Sequence, residues 1–222
     1  MMKTLAILIA FMIGAASVQA TGNNKINRTH QNTEIQSVFG SDPLRIGGWG
    51  GLSTSISRVG DQDAILMGAK AGIIFNSSLS IGLAGYGLSG YMNNLYSGSL
   101  DEGRGAYLDA AYGGLFIEPS IASHLPVHIS IPIIIGAGGA FYTKTDMYDW
   151  RKEYHENTDH LLDYSSFFVF EPGLELEVNL VKFVRLGLGI SYRHTSGLRL
   201  IDTSDDILNN YSASFTLKLG VF

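Results

Sequence analysis

Residues 211–221, just before the end of the sequence, alternate strictly between apolar side chains and small or polar ones. One face of this extended segment would carry Tyr211, Ala213, Phe215, Leu217, Leu219 and Val221. The other would carry Ser212, Ser214, Thr216, Lys218 and Gly220, and Phe222 follows. Because successive side chains of a strand point to opposite sides, the pattern predicts a strand with one face in an apolar environment and the other in a polar one.

The first twenty residues have the form of an export signal. Lys3 precedes an apolar run over residues 5–16, and Val18-Gln19-Ala20 forms a small-x-small cleavage site. We therefore predict a cleaved signal peptide over residues 1–20. Residues 21–43 are rich in Asn, Thr and Gln without periodicity, which predicts a flexible periplasmic leader, and residues 44–222 form the folded domain.

Composition narrows the possible folds of this domain. The chain has no cysteine, so no disulfide framework stabilises it. Beyond the signal there is no apolar stretch near the roughly 18 residues that a spanning helix needs. In lipid, every backbone polar group must be satisfied internally, which leaves a closed β-barrel as the available spanning structure. A formal net charge of −5 gives no support for nucleic-acid binding.

Eight segments are long enough to be tilted membrane strands, which need about 9–11 residues. They cover residues 44–57, 64–76, 79–91, 104–117, 127–142, 166–178, 183–195 and 210–222. The connections at one end are short, whereas 92–103, 143–165 and 196–209 at the other end are long and polar. This asymmetry predicts an all-β fold, an eight-stranded antiparallel transmembrane up-and-down β-barrel. The alternative is a soluble barrel or sandwich.

Aromatic side chains gather near the predicted strand ends, as at membrane interfaces. We expect an inner rim of Phe75, Phe116, Phe183 and Phe222. We expect an outer rim of Tyr91, Tyr107, Tyr142, Phe168, Tyr192 and Tyr211.

The alternation also sorts the charged residues to the inside. The inward set is predicted to contain Arg45, Lys70, Asp109, Glu171, Glu175, Glu177, Arg185, Arg193 and Lys218. These charges nearly balance, and unpaired buried charge is costly, so we expect a lumen plugged by ion pairs, with room for a small cavity beside its glycines. A polar solute path or a catalytic carboxylate pair is the alternative interpretation.

The domain resembles the small eight-stranded outer-membrane barrels of the OmpX and OmpA transmembrane-domain class. More closely, Phe168-Val-Phe-Glu-Pro-Gly-Leu-Glu-Leu-Glu-Val-Asn, Arg185-Leu-Gly-Leu-Gly-Ile-Ser-Tyr-Arg and Thr216-Leu-Lys-Leu-Gly-Val-Phe are similar to uncharacterised barrels of the Bacteroidota. The resemblance implies a fold and a location in the outer membrane of a Gram-negative bacterium, but no activity. Phe222 departs from the usual terminal signature, since it shares the face of Lys218 rather than that of the apolar residues.

One short motif suggests chemistry. His194-Thr195-Ser196 ends the seventh segment on its lipid-facing side, and the pair His194 and Ser196 resembles the His-x-Ser of PagL-type lipid A deacylases. That resemblance implies His194 as base, Ser196 as nucleophile, and Asp205 or Asp206 orienting the base. The family follows the motif with Asn and takes its acid from the final strand, whereas this chain has Gly197 and no acid there.

We therefore expect a non-enzymatic outer-membrane protein with a membrane-structural role or a surface-interaction role. A lipid A or phospholipid acyl hydrolase is the second hypothesis, and a narrow solute channel is the third. The expected partners are outer-membrane lipids, the barrel-assembly machinery during insertion, and an extracellular ligand bound through loops 92–103, 143–165 and 196–209. We expect no nucleic-acid partner, no cofactor and no metal.

Overall fold

A computed structural model describes residues 44–101, 104–144 and 161–222. The predicted signal peptide, the leader and most of the predicted loop 143–165 lie outside the described residues. The strands are β1 (Ile46–Val59), β2 (Gln62–Phe75), β3 (Leu79–Leu88), β4 (Tyr96–Asp101), β5 (Arg104–Ile121), β6 (Val127–Ser130), β7 (Ile133–Lys144), β8 (Leu161–Val181), β9 (Val184–Ser196) and β10 (Asn210–Val221).

Antiparallel pairing closes these strands into a ring. Each strand pairs with at least one strand next to it in sequence, and β1 pairs with β10 from Gly48↔Val221 to Ser57↔Ser212, which joins the two ends of the sheet. The ring has eight strand positions, which we call walls, and each of the eight predicted segments coincides with one of them. The predicted eight-stranded up-and-down barrel is therefore confirmed.

Two of the eight walls are each built from two strands. β3 and β4 both pair with β5, and residues 89–95 leave the wall between them. β6 and β7 both lie between β5 and β8 in one continuous register, and Ile131 and Pro132 separate them. Proline has no N–H to donate to the ladder, which explains an interruption at this point.

Burial is inverted relative to a soluble barrel. Large apolar side chains point outward and are exposed, for example Leu52 (69%), Leu83 (64%) and Leu188 (62%). Lysine, arginine and glutamate side chains point inward and are buried. Such a surface is stable only in an apolar solvent, so the barrel belongs in a membrane. No helix within the three described ranges is long and apolar enough to cross a membrane.

The last outer loop folds over the outer end of the barrel, and we call residues 197–209 the cap. Leu198, Leu200 and Leu208 of the cap are buried. Backbone bonds tie it to the wall: the Arg199 N–H donates to Ser165 Oγ at 2.8 Å and the Gly60 N–H donates to the Ile207 carbonyl at 2.8 Å. The sequence predicted an interaction loop here, and the structure adds that its leucine side chains pack inward at the outer end of the barrel.

Candidate functional site

The inner half of the lumen holds a network of buried charges centred on Lys218 of β10. Its Nζ lies 2.5 Å from Glu177 Oε1, 2.8 Å from Glu118 Oε1 and 3.4 Å from Glu175 Oε1. Lys70 of β2 approaches Glu175 Oε2 at 3.7 Å. All five side chains are almost completely buried. The network therefore joins strands on opposite sides of the barrel across its interior.

Glu177 is the most heavily coordinated carboxylate of this network. Besides Lys218, it is contacted by His128 Nε2 at 2.9 Å and Arg185 Nη1 at 3.4 Å. Lys70, Lys218 and Arg185 match the three carboxylates Glu118, Glu175 and Glu177 in charge. Such a balance is what a buried cluster of charges requires.

Aromatic rings and a glycine shape the space around the network. The ring of Trp49 lies 4.7 Å from Lys218 Nζ, and its Nε1–H donates to Ser80 Oγ at 3.0 Å. Phe116 packs on Trp49 with ring centroids 5.5 Å apart. A methyl group at Gly187 would overlap the Glu175 carboxylate. Glycine at that position therefore makes room for the charged group.

A second polar layer lies nearer the outer end. Tyr112 donates to Glu171 Oε2 at 2.6 Å, and Ser191 donates to Glu171 Oε1 at 2.7 Å. Arg193 donates from Nε to the Leu208 carbonyl of the cap at 2.8 Å, and its guanidinium carbon lies 5.6 Å from the centre of the Tyr112 ring. The charges of this layer are satisfied mostly by hydrogen bonds rather than by direct ion pairs.

Little empty space remains between the two layers. The cavity there has a volume of about 20 Å³ and is bordered by Lys70, Tyr86, Glu171 and Glu175. A water molecule needs at least about 10–15 Å³ measured in this way, so the cavity has room for one water or little more. The expected small cavity is therefore present between the two layers.

The structure places seven of the nine predicted inward charges in the lumen: Lys70, Glu171, Glu175, Glu177, Arg185, Arg193 and Lys218. Arg45 is exposed, because it precedes β1 at the inner end where the wall stops. Asp109 is buried but not in the lumen. It lies on the face of Ala111 and Leu115, which are exposed, and it accepts bonds from the Gly90 N–H at 2.9 Å and Thr143 Oγ1 at 3.1 Å.

Three predicted rim aromatics face the interior instead. Phe116 is fully buried against Trp49. Tyr142 is buried, and its hydroxyl lies 2.8 Å from Thr203 Oγ1 of the cap. The ring of Phe222 is half-buried beneath Arg185, whose guanidinium carbon is 3.8 Å from the ring centre. The others are exposed or half-exposed: Phe75, Phe183, Tyr91, Tyr107, Phe168, Tyr192 and Tyr211.

Two members of the inner network escaped the sequence prediction. Glu118 follows the predicted segment 104–117, but β5 continues to Ile121, so Glu118 faces inward like Tyr112 and Phe116. His128 alternates with Val127 and Ile129, which are exposed, and so faces inward. Extending the alternation past residue 117 would have revealed Glu118, whereas His128 already lies on the inward face of the predicted segment 127–142.

The residues of the proposed acyl hydrolase are not assembled. His194 and Ser196 are both exposed on the outward face of β9, opposite Phe170 and Phe168 of β8. Asp206 accepts a hydrogen bond from Ser204, within the cap. Among the described residues, no hydrogen bond or ion pair joins His194 to Ser196, Asp205 or Asp206.

Comparison with solved structures identifies the architecture. Neisserial surface protein A superposes with a TM-score of 0.52 at 9% identity, and the match covers 81% of this chain and 99% of that chain. The fold is that of a small eight-stranded outer-membrane barrel. The N-terminal barrel domain of Pseudomonas aeruginosa OprF matches with a TM-score of 0.43 at 10% identity, covering 78% and 96% of the two chains. The attachment invasion locus protein Ail of Yersinia pestis matches with a TM-score of 0.40 at 12% identity, covering 79% and 95%.

At the level of sequence, no protein-family model matches the chain, and no curated protein does. The similarity therefore establishes the fold alone.

Proposed function

We propose that this protein resides in the outer membrane of a Gram-negative bacterium as a sealed barrel and acts through its outer surface, without enzymatic activity. Its role is structural support of the membrane or binding of an extracellular ligand. One observation supports this proposal above the others: the lumen is filled by paired charges and covered by the cap, which leaves the outer surface as the part free to engage partners.

The first experiment tests the location of the protein. Inner and outer membranes of cells that make it are separated by density, and its mobility on gels is compared for heated and unheated samples. A folded outer-membrane barrel stays compact in detergent until it is boiled, so the heated and unheated samples should migrate differently. Recovery in the inner-membrane or soluble fraction would contradict the proposal.

The surface role is tested by loop exchange. The folded protein is compared with a variant in which residues 145–160 are replaced by a short Gly/Ser linker, and both are applied to an array of glycans and extracellular-matrix proteins. Binding by the original chain alone would assign a ligand to this loop. A variant in which the inner turn at residues 76–78 is replaced by the same kind of linker serves as the control, because that turn lies at the opposite end of the barrel. Absence of binding on every surface would leave the membrane-structural role.

Mass spectrometry of lipid A tests the hydrolase hypothesis independently. It compares cells that make the original chain with cells that make the Ser196→Ala variant. We expect identical spectra, because His194 and Ser196 lack a mutual hydrogen bond and an orienting carboxylate. Loss of an acyl chain with the original protein only would establish the hydrolase.

A closer kinship with the uncharacterised Bacteroidota barrels is also proposed. It is supported by the sequences of β8, β9 and β10 alone.

A further inference from the structure

The inner end of the barrel opens into a concave mouth that the proposed function does not use. Its volume is about 870 Å³, within the range of roughly 300–1,000 Å³ typical of small-molecule sites. Every inner turn contributes to its wall, as do the beginning of β1 and the end of β10. The mouth therefore lies on the barrel axis, away from the lipid-facing rim.

The side chains around this mouth are basic. Arg45, His124, Lys182 and Arg185 line it, and no aspartate or glutamate does. Arg45, His124 and Lys182 are exposed. The hydroxyl and amide groups of the three inner turns provide further hydrogen-bond donors. A concave surface of one charge sign, walled by low-dielectric protein, concentrates ions of the opposite sign.

Arg185 supplies the observation that points to a ligand. It is only 4% exposed, it lines the mouth, and its Nε has no hydrogen-bond partner in the described chain. Its contact with Glu177 is long, at 3.4 Å, while Glu177 is held more closely by Lys218 and His128. The ring of Phe222 covers one face of the guanidinium at 3.8 Å and holds it in place. A buried guanidinium with an unused donor is costly unless a partner arrives.

We infer that the inner mouth is a binding site for a soluble solute carrying phosphate or carboxylate groups. Arg185 is the buried anchor, because a guanidinium presents a planar fork that matches both oxyanions. Arg45 and Lys182 are flexible outer contacts that attract the ligand and surround it. The position on the axis favours a soluble ligand over a lipid headgroup, which would reach the rim first.

The test uses the mature chain, isotope-labelled and reconstituted in nanodiscs of phosphatidylcholine. Pyrophosphate and citrate are titrated separately, and amide NMR signals are followed. We expect saturable shifts at Ser77, Ser78 and Lys182, near the mouth, with either anion or with one of them. The anion that binds more tightly identifies the ligand as a phosphate or a carboxylate. Shifts from neither anion, or shifts that do not saturate, would overturn the inference.

Two double variants distinguish a specific binding site from a general attraction of anions to positive charge. Arg45→Gln combined with Lys182→Gln should weaken binding about fivefold, as expected for two exposed charge contacts. Both side chains are exposed, so the fold should be retained. Arg58→Gln combined with Arg199→Gln removes the same charge from exposed outer positions and should leave the affinity unchanged. Equal weakening by both pairs would refute a specific site.

A further titration distinguishes a soluble anion from a lipid headgroup as the ligand of the mouth. Nanodiscs containing phosphatidylglycerol present anionic headgroups but no soluble ligand. If those headgroups shift the same mouth signals and block pyrophosphate, the site belongs to lipid and the inference of a soluble solute is wrong. Unchanged pyrophosphate binding in these nanodiscs supports it.

Discussion

Lys218 and Glu118 are one hundred residues apart in the chain, yet Nζ and Oε1 lie 2.8 Å apart at the centre of the barrel. Lys218 is on β10 and Glu118 is on β5, so this contact spans the lumen rather than joining neighbouring strands. Because Glu175 and Glu177 approach the same ammonium, one lysine holds three carboxylates together.

Replacing Lys218 with methionine should be strongly destabilising. The change keeps much of the side-chain volume but leaves three buried carboxylates without their shared cation. Breaking one side of a buried ion pair costs about 3–5 kcal/mol. Urea unfolding in lipid vesicles measures the loss, and Arg58→Met is the control, because Arg58 forms an exposed pair with Asp63. A loss below about 1 kcal/mol, as for a surface pair, would contradict the proposed central role of Lys218.

The second polar layer should depend on the hydroxyl of Tyr112. Tyr112→Phe removes the donor that lies 2.6 Å from Glu171 Oε2. Hydrogen bonds to charged groups contribute about 1.5–3 kcal/mol, so we expect a loss of that order in the same unfolding experiment. Tyr211→Phe removes a hydroxyl from an exposed ring and should change stability by less than about 0.5 kcal/mol. Equal effects of the two changes would contradict the assigned geometry.

Phe116 fills space that Gly72 leaves open. A Cβ at Gly72 would lie 2.8 Å from the tip of the Phe116 ring and 2.8 Å from the Ile81 carbonyl oxygen. Gly72→Ala should therefore destabilise the barrel by about 1–3 kcal/mol through overpacking. At Gly87 a Cβ meets nothing within 4 Å, so Gly87→Ala is the matched control and should be neutral or slightly stabilising. If Gly87→Ala were more destabilising than Gly72→Ala, the lumen would be packed differently.

The cap should open when a charge is placed beneath it. Leu208 is 2% exposed, and Leu208→Asp would bury an unpaired carboxylate. Trypsin cleavage after Arg199, within the cap, should then be faster on the order of tenfold or more, because local opening becomes cheaper. Ile201→Asp adds the same charge at a position that is 57% exposed and should leave the rate near that of the original protein. Unchanged cleavage of Leu208→Asp would mean that the cap does not depend on this contact.

Strand count and order, and much of the lumen composition, could be predicted from the sequence because the period of two makes side-chain direction a local property. Glu175, Glu177, Arg185 and Lys218 were predicted to face inward for that reason. Their partners were not predictable, because register and barrel closure decide which residues meet across the lumen. Lys218 meets Glu118 only because β10 and β5 lie on opposite walls.

Strand ends caused most of the errors. Arg45 kept the inward parity but lies beyond the start of the wall. Phe116 and Tyr142 are aromatic residues near strand ends, yet their parity turns them inward. Assigning an aromatic residue to a rim from its type alone therefore fails where the alternation along the strand turns its side chain inward. Asp109 was predicted to face inward, although it shares the outward face of β5 with Ala111 and Leu115. Its burial could not be predicted, because residues 89–95 leave the wall and Gly90 donates a hydrogen bond to its carboxylate.

If the ion pairs and the cap seal the lumen, the barrel should carry no ionic current across a membrane. Residues 21–222 are inserted into a planar bilayer, and current is recorded across a range of voltages. After verified insertion, the baseline should be indistinguishable from that of the bare membrane. This expectation rests on the buried ion pairs, on the cavity of about 20 Å³ between the two charged layers, and on the buried leucines of the cap. Stable, ohmic current steps from the original protein would show that the lumen is open and would make the narrow channel the better assignment.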